Sequence, residues 1–176
     1  TPAGRELEFV RLVAAQSIQY ATQVKSAADK VKLQSAYPAS NSLADQLKIV
    51  ARLIAGGMKT RMYIVSMGGF DNHSSQVDAT DPTIGTHATL LKRLSDAIAA
   101  FQADLKFLGV EQRVIGMTFS EFGRRVQSNA SRGTDHGTAA PMFLFGAGVL
   151  GAGLGNNPSL TDLTSSNLKM QYDFRS

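Results

Sequence analysis

The chain has 176 residues, of which 43% are hydrophobic and 18% are charged, and these proportions are typical of a soluble globular protein. They exclude a disordered or membrane protein, and no apolar run reaches the roughly 18 residues that a membrane helix needs. The net charge is +4, but the basic residues are scattered apart from Arg124, Arg125 and Arg132, so nucleic acid is not an expected partner. Because there is no cysteine, any metal must be held by histidine, carboxylate or backbone ligands.

Helical periodicity dominates the N-terminal part of the chain. Apolar residues at helical spacing predict a long amphipathic helix over residues 4–34, which Pro38 and a polar stretch then interrupt. A second helix is expected to begin at the candidate N-cap Ser42 and to stop at the glycine pair Gly56 and Gly57.

Beyond the second helix, strands and helices alternate. The predicted order is a buried strand over residues 61–67, a long loop over 68–86, a helix over 87–108, a strand over 113–119, a polar loop over 120–138 and a strand over 141–145. Such alternation predicts a mostly parallel sheet with helices packed on it. The loop over 68–86 is long for a compact domain, and loops of that length usually carry function.

Two of these loops contain paired candidate metal ligands. Asp71 and His73 follow the first predicted strand, and because they are two positions apart, their side chains project to the same side of an extended segment. Asp135 and His136 precede the third predicted strand and supply a second pair. Together they form a carboxylate and imidazole set that suits zinc, manganese or iron better than calcium. The alternative is that the aspartates form turns and the histidines are solvated.

Glu121 and Arg124 lie just after the second predicted strand. The carboxylate of Glu121 can ligate a metal or act as an acid/base group, and the guanidinium of Arg124 can bind a phosphate or sulfate; the alternative is a surface ion pair. Arg125 and Arg132 would enlarge a basic rim for an anionic substrate, or form a solvated face. His87 has no metal-spaced partner and is expected to be a surface or capping residue outside the site.

The C-terminal part is rich in glycine. Residues 146–151 match the dinucleotide-binding pattern GxGxxG, but Gly153, Gly155 and Pro158 oppose the helix that must follow that motif, so we attribute the match to chance. No standard nucleophile motif is visible. The chain lacks an initiator methionine and ends without a closing element, so we expect it to be a piece of a longer protein.

At its motifs the sequence strongly resembles DUF1501, a family of uncharacterised, mostly bacterial proteins related to sulfatases and alkaline phosphatases. The similar segments are QLKIVARLI at residues 46–54, VSMGGFDNH at 65–73, MTFSEFGR at 117–124, GTDHG at 133–137 and DFRS at 173–176. The resemblance implies a three-layer α/β/α fold with a mostly parallel, alkaline-phosphatase-like sheet, of which this chain would be a fragment. Residues 1–176 would form one domain segment, with an N-terminal helical part over 1–40 and a core over 41–176.

Alkaline-phosphatase-like enzymes bind two metals around a serine or threonine nucleophile. By resemblance, Asp71, His73 and His136 look like the ligands of one divalent metal, zinc or manganese first, and Asp135 would ligate it too or orient His136. Glu121 stands where the superfamily has the aspartate of an Asp-His pair for a second metal. Phe122 stands where the histidine would be, so the second ligand set is expected to be defective.

The resemblance also implies a function, a metal-dependent hydrolase acting on phosphate or sulfate esters of an anionic small molecule or polymer. Glu121 would be the second-site ligand or acid/base group and Arg124 the anion clamp. The alternative is an exported binding or structural protein on a degenerate hydrolase scaffold, which Phe122 favours. Family relatives carry the nucleophile region and a twin-arginine export signal upstream, so a periplasmic location is expected.

Overall fold

The structure is a computed structural model that describes residues 2–151, 153 and 155–171. The similar segment at 173–176 lies outside the described residues. In chain order the elements are helices α1 (Pro2–Asp29), α2 (Ser42–Ala55) and α3 (Thr86–Phe107), a 3₁₀ turn (Glu111–Arg113), and strands β1 (Gly116–Met117), β2 (Gly123–Ser128), β3 (Thr134–Gly137), β4 (Leu144–Phe145), β5 (Leu163–Thr164) and β6 (Asn167–Leu168). They cluster into two compact units, Thr1–Ser66 with Ala97–Val110, and Met67–Asp96 with Glu111–Ser176.

The first unit is built from α1, α2 and the C-terminal half of α3. Its core consists of apolar side chains buried between these helices, namely Ala27, Leu43, Ala44, Leu47, Val50, Ala51, Ile54, Ala97, Phe101, Leu105 and Val110. The predicted first helix is present but ends at Asp29, short of residue 34, and its residues 4–23 are exposed. Within the described part of the chain, none of the helices has the length and apolar character needed to cross a membrane.

Both ends of α2 have a local cause. Asn41, and not the predicted Ser42, caps the helix, because its side chain accepts a hydrogen bond from the N–H of Ala44. At the other end, Gly57 adopts a φ of 86°, a left-handed conformation that glycine reaches without strain, and the helix stops at Ala55. The predicted stop at the glycine pair is confirmed.

The third helix lies close to the predicted residues 87–108 and ends at the predicted glycine. Gly109 has a φ of 68°, its N–H donates to the carbonyl of Lys106 at 3.0 Å, and the N–H of Val110 donates to the carbonyl of Leu105 at 2.9 Å. This pair of hydrogen bonds is the Schellman motif, which satisfies the last carbonyl groups of the helix. The helical half of the sequence-based prediction is therefore confirmed.

Asp104 is a charged residue inside the core of the first unit. Its side chain is fully buried, with 0% exposure, and its Oδ1 accepts the backbone N–H groups of Gln34 at 3.0 Å and Ser35 at 2.8 Å. A buried carboxylate is costly unless it is hydrogen-bonded. These two bonds offset part of that cost and attach the segment after α1 to α3, whereas Oδ2 of Asp104 has no hydrogen-bond partner among the described residues.

The predicted three-layer α/β/α fold with a mostly parallel sheet is wrong. Among the described residues, the strands form three separate two-stranded sheets, all antiparallel, which pair β1 with β4, β2 with β3, and β5 with β6. Residues 61–67, predicted as a buried strand, form no strand, and the predictions for 113–119 and 141–145 keep only the short strands β1 and β4. The part of the chain that the structure describes is mixed α and β without an extended sheet.

The exposure of the predicted strands explains this error. Parallel strands are stable when both faces of the sheet are covered, yet Met62, Ile64, Ile115 and Phe119 each expose at least 70% of their surface. A short apolar segment has the same sequence pattern whether or not a neighbouring strand packs against it. Periodicity alone therefore does not show that such a strand is missing.

The best-formed sheet lies in the region predicted as a polar loop, residues 120–138. There β2 and β3 form a hairpin in which Arg124 lies opposite His136 and Ser128 lies opposite Thr134. The pairing is irregular between Arg124 and Ser128. Because the hairpin carries several of the predicted site residues, it is the element that positions the site.

A second hairpin, β5–β6, lies beside β2. Its turn residues Ser165 and Ser166 have φ values of 51° and 65°, and two consecutive positive values are typical of a type I′ turn. The N–H of Val126 donates to the carbonyl of Ser166 at 3.0 Å, and Ser166 Oγ donates to Oε1 of Gln127 at 2.9 Å. These two hydrogen bonds attach the turn of the β5–β6 hairpin to β2.

Candidate metal centre

Asp71, His73 and His136 converge in the second unit. Oδ1 of Asp71 lies 3.0 Å from Nε2 of His73 and 2.9 Å from Nε2 of His136. One candidate ligand atom from each residue lies within 4.8 Å of the other two, and no other such cluster of histidine and acidic side chains occurs among the described residues. The fold therefore brings together three of the residues that the sequence predicted for a metal site.

The loop that carries Asp71 and His73 is held against the β2–β3 hairpin. The N–H of Thr134 donates to the carbonyl of Asn72 at 3.3 Å. Gly133 permits this approach, because a Cβ atom there would lie 2.3 Å from the carbonyl carbon and oxygen of His73. A glycine at this position is thus a steric requirement for the two loops to meet.

Arg124 ties the same loop to the hairpin through its guanidinium. Nη1 donates to the carbonyl of Thr134 at 2.5 Å, and Nη2 donates to the carbonyl of Phe70 at 3.0 Å and forms an ion pair with Asp71. The side chain is 22% exposed. Within the described part of the chain, Nε–H and one Nη1–H have no hydrogen-bond partner, and because they lie on different edges of the guanidinium, each could bind an anion oxygen singly.

The surroundings of Asp71 favour its ionised form. The hydrogen bond from His136, and next the hydrogen bond from Arg124, hold the pKa of this carboxyl below its ordinary value of 3.8. A carboxylate must be deprotonated to ligate a metal, so Asp71 is ready to bind at neutral pH.

Asp135 lies beside the other nitrogen of His73. Its Oδ1 is 3.4 Å from Nδ1 of His73, on the ring edge that faces away from Asp71. A hydrogen bond from Asn129, then one from His73 and the charge of Arg125, hold the pKa of Asp135 below its ordinary value. Asp135 is outside the three-residue cluster, and its neighbour is His73, whereas the resemblance implied that it would ligate the same metal or orient His136.

Asn129 contributes to the centre although the sequence did not single it out. Its Nδ2 donates to the carbonyl of His73 at 2.8 Å and to Oδ1 of Asp135 at 3.2 Å. Its Oδ1 accepts the N–H groups of Ser131 at 2.9 Å and Gly133 at 3.1 Å. An asparagine shortly before a glycine indicates a turn, and that signal was available in the sequence; its contact with the site was not.

Phe122 packs against a ligand of the cluster. Its ring stacks on that of His136 with centroids 3.8 Å apart and planes inclined by 14°, and Arg124 lies 5.1 Å from the centroid of the Phe122 ring.

Glu121 is exposed and forms no hydrogen bond or ion pair with any described residue. The ring of His87 contacts Phe70 edge-on at 6.1 Å and does not join the cluster, in line with its exclusion from the predicted site.

The arrangement fits a divalent metal by donor chemistry and by spacing. Atoms that coordinate one Zn²⁺ at 2.0–2.2 Å lie roughly 3.3 Å apart in a tetrahedron. The two distances from Asp71 Oδ1 are close to that value, and the three side chains are about half exposed, so small rotations of His73 and His136 can adjust the remaining distance. One oxygen and two imidazole nitrogens leave positions open for water or a substrate.

No curated protein and no solved structure matches the chain. The family described as "Protein of unknown function (DUF1501)" matches over residues 6–167, which include every residue of the candidate metal centre. The chain therefore belongs to the DUF1501 family.

Proposed function

We propose that this protein is a metal-dependent hydrolase of phosphate or sulfate esters, with Asp71, His73 and His136 as the ligands of one divalent metal. The observation that carries the proposal is the meeting of one carboxylate oxygen and two Nε2 atoms from separate parts of the sequence. Such a mixed set suits zinc or manganese. When bound, the metal would polarise an ester oxygen and lower the pKa of its bound water.

The residues around the ligands supply what an anionic ester needs. Arg124 orients Asp71 and has two further donors for phosphate or sulfate oxygens, the role of an anion clamp. Arg125 and Arg132 are exposed on the same hairpin and its turn and would add positive potential around it. The exposed carboxylate of Glu121 has no partner among the described residues and is the candidate acid/base group.

A second candidate function is a metal-binding protein without hydrolytic activity. The stacking of Phe122 on His136 favours it, because a phenyl ring occupies the face of this ligand and contributes no donor to a second metal. Superfamily relationship to alkaline phosphatases and sulfatases and a periplasmic location, both implied by the family resemblance, stay predictions.

Both candidate functions require a bound divalent metal, so metal analysis of the purified protein tests them together. We expect one zinc or manganese ion per chain, and loss of that ion in Asp71→Ala and His136→Ala. His87→Ala is the matched control, because His87 lies outside the cluster. A protein without a divalent metal, or variants that bind it unchanged, would contradict the site.

A panel of aryl phosphate and sulfate esters then separates hydrolase from binding protein. The hydrolase requires turnover that depends on the added metal and falls in the Arg124→Ala and Glu121→Gln variants. Metal binding without turnover of any ester would favour the binding protein.

A further inference from the structure

Asn129 connects the ligand His73 with its carboxylate neighbour. Its single amide nitrogen Nδ2 donates to the main-chain carbonyl of His73 at 2.8 Å and to Oδ1 of Asp135 at 3.2 Å. One side chain therefore constrains both the backbone of His73 and the acceptor that faces its ring.

The acceptor of Asn129 has a separate task. Its Oδ1 accepts the N–H groups of Ser131 and Gly133 and closes the turn between β2 and β3. The Nδ2 group of Asn129 thus donates to residues of the site, and its Oδ1 accepts from residues of the turn. A substitution that keeps an acceptor and removes the donors can separate the two tasks.

His73 presents its two ring nitrogens to two different carboxylates. Nε2 lies 3.0 Å from Asp71, and Nδ1 lies 3.4 Å from Asp135, which is long for a hydrogen bond. A histidine ligand is oriented, and its tautomer is set, by the acceptor of its other N–H. The position of the Asp135 oxygen beside Nδ1 therefore helps to set the orientation of the His73 ring, and with it the direction in which Nε2 points.

We propose that Asn129 is a positioning residue, which holds Asp135 against Nδ1 of His73 and so presents Nε2 of that histidine to the metal. The inference rests on the proposed function for the metal and extends it to the residue that organises the ligand. The hydrogen bonds on which it depends join residues of the chain itself, so the inference can also be tested without a metal.

The first experiment is a Co²⁺ titration followed by visible absorption, which reports the ligand geometry. Asn129→Ser keeps a turn acceptor, but its one hydroxyl cannot donate to both His73 and Asp135. We expect Co²⁺ affinity to fall about 10- to 100-fold, as for other residues that orient ligands. The matched control is Asn167→Ser, since Asn167 bonds to Thr138 and Ser165 in another turn of the same unit. Unchanged affinity in folded Asn129→Ser would overturn the proposal.

A double-mutant cycle distinguishes positioning from a general structural role. If Asn129 acts through Asp135, the Asn129→Ser substitution should cost much less Co²⁺ affinity in an Asp135→Ala background than in the native chain. Fully additive losses would show that Asn129 acts independently of Asp135 and would refute the mechanism. Should Asn129→Ser fail to fold, Asn129→Asp retains the turn acceptor and removes both donors. Its carboxylate also repels Asp135, so weaker Co²⁺ binding is again expected, and unchanged or tighter binding would count against the positioning role.

Imidazole NMR of the protein prepared without metal, at fixed pH, distinguishes failure of the positioning role of Asn129 from failure of the proposed metal-dependent function. The chain has three histidines, so the His73 signals can be assigned and His87 serves as an internal reference. We expect Asn129→Ser to shift the Nδ1 signal of His73 and to leave His87 unchanged. If this shift occurs in a protein that binds no Co²⁺, the proposed function fails and the positioning role stands. If the native chain binds Co²⁺ and the His73 signals do not move, the positioning role fails alone.

Discussion

Arg124 and His136 lie directly opposite each other in the β2–β3 ladder, and both side chains reach Oδ1 of Asp71. Because paired strands are about 5 Å apart, two facing residues can contact a single oxygen on a third segment. The hairpin thereby supplies one candidate ligand and the cation that orients another. The geometry of the centre follows from the register of this one hairpin.

Replacing Arg124 with alanine should loosen the loop that carries Asp71. The substitution leaves the carbonyl groups of Phe70 and Thr134 without their guanidinium donors. We expect the free energy of unfolding to fall by about 1–3 kcal/mol, measured by urea denaturation, and amide hydrogen exchange to accelerate in residues 71–76. Arg125→Ala is the control, because Arg125 is exposed on the same strand. Equal exchange rates in the two variants would show that the loop does not depend on Arg124.

A methyl group at Gly133 should disrupt the centre without removing any candidate ligand side chain. The Cβ atom of Gly133→Ala would lie 2.3 Å from the main chain of His73, so the loop and the hairpin must separate. We expect metal affinity to fall at least as far as in the Asn129 variant, measured by the same Co²⁺ titration. Gly148→Ala is the matched control, since a Cβ there meets no atom within 4 Å. Native affinity in Gly133→Ala would mean that the observed approach of the two segments is not needed for binding.

The sequence predicted the helices well because their signals are local. Gly57 and Gly109 mark helix ends through conformations that depend only on neighbouring residues, and both predicted stops are present. Strand predictions failed because a strand needs a partner that is distant in sequence. The apolar segment 61–67 has the composition of a buried strand, but whether another segment covers it is not encoded in its own pattern.

The sequence pointed to the three side chains that cluster in the candidate site, but it did not point to the residues that support them. Asp71, His73 and His136 were recognisable because few residue types bind metals and these stand in glycine-rich loops. Asn129 was not recognised, because its importance lies in two hydrogen bonds to residues that only the hairpin brings near. The polar composition of residues 120–138 indicated a loop, since β2 and β3 are mostly solvent-facing and lack an apolar alternation.

Removing the buried carboxylate of Asp104 should destabilise the first unit. Asp104→Ala leaves the N–H groups of Gln34 and Ser35 without their acceptor in a buried position. We expect a loss of roughly 1–3 kcal/mol in the free energy of unfolding, measured by urea denaturation with circular dichroism. Asp104→Asn, which retains an acceptor oxygen, should lose less. A smaller effect of alanine than of asparagine would contradict the hydrogen-bonding role.

The loop after the candidate ligands Asp71 and His73 should lose stability in acid through Asp78. The N–H and hydroxyl of Thr80, followed by the N–H of Asp81, donate to its carboxylate and lower its pKa from 3.8 to about 2. Because the folded pKa lies below the unfolded one, the unfolded chain takes up the proton first as the pH falls. The contribution of Asp78 is therefore complete above about pH 4 and lost by about pH 2.

Asp78→Asn tests this assignment, because the amide still accepts hydrogen bonds but carries no charge. We expect the variant to be less stable than the native chain at pH 7 and the difference to shrink as the pH falls from 4 to 2, measured by thermal unfolding across that range. A difference between Asp78→Asn and the native chain that stays constant down to pH 2 would exclude titration of Asp78 as its cause.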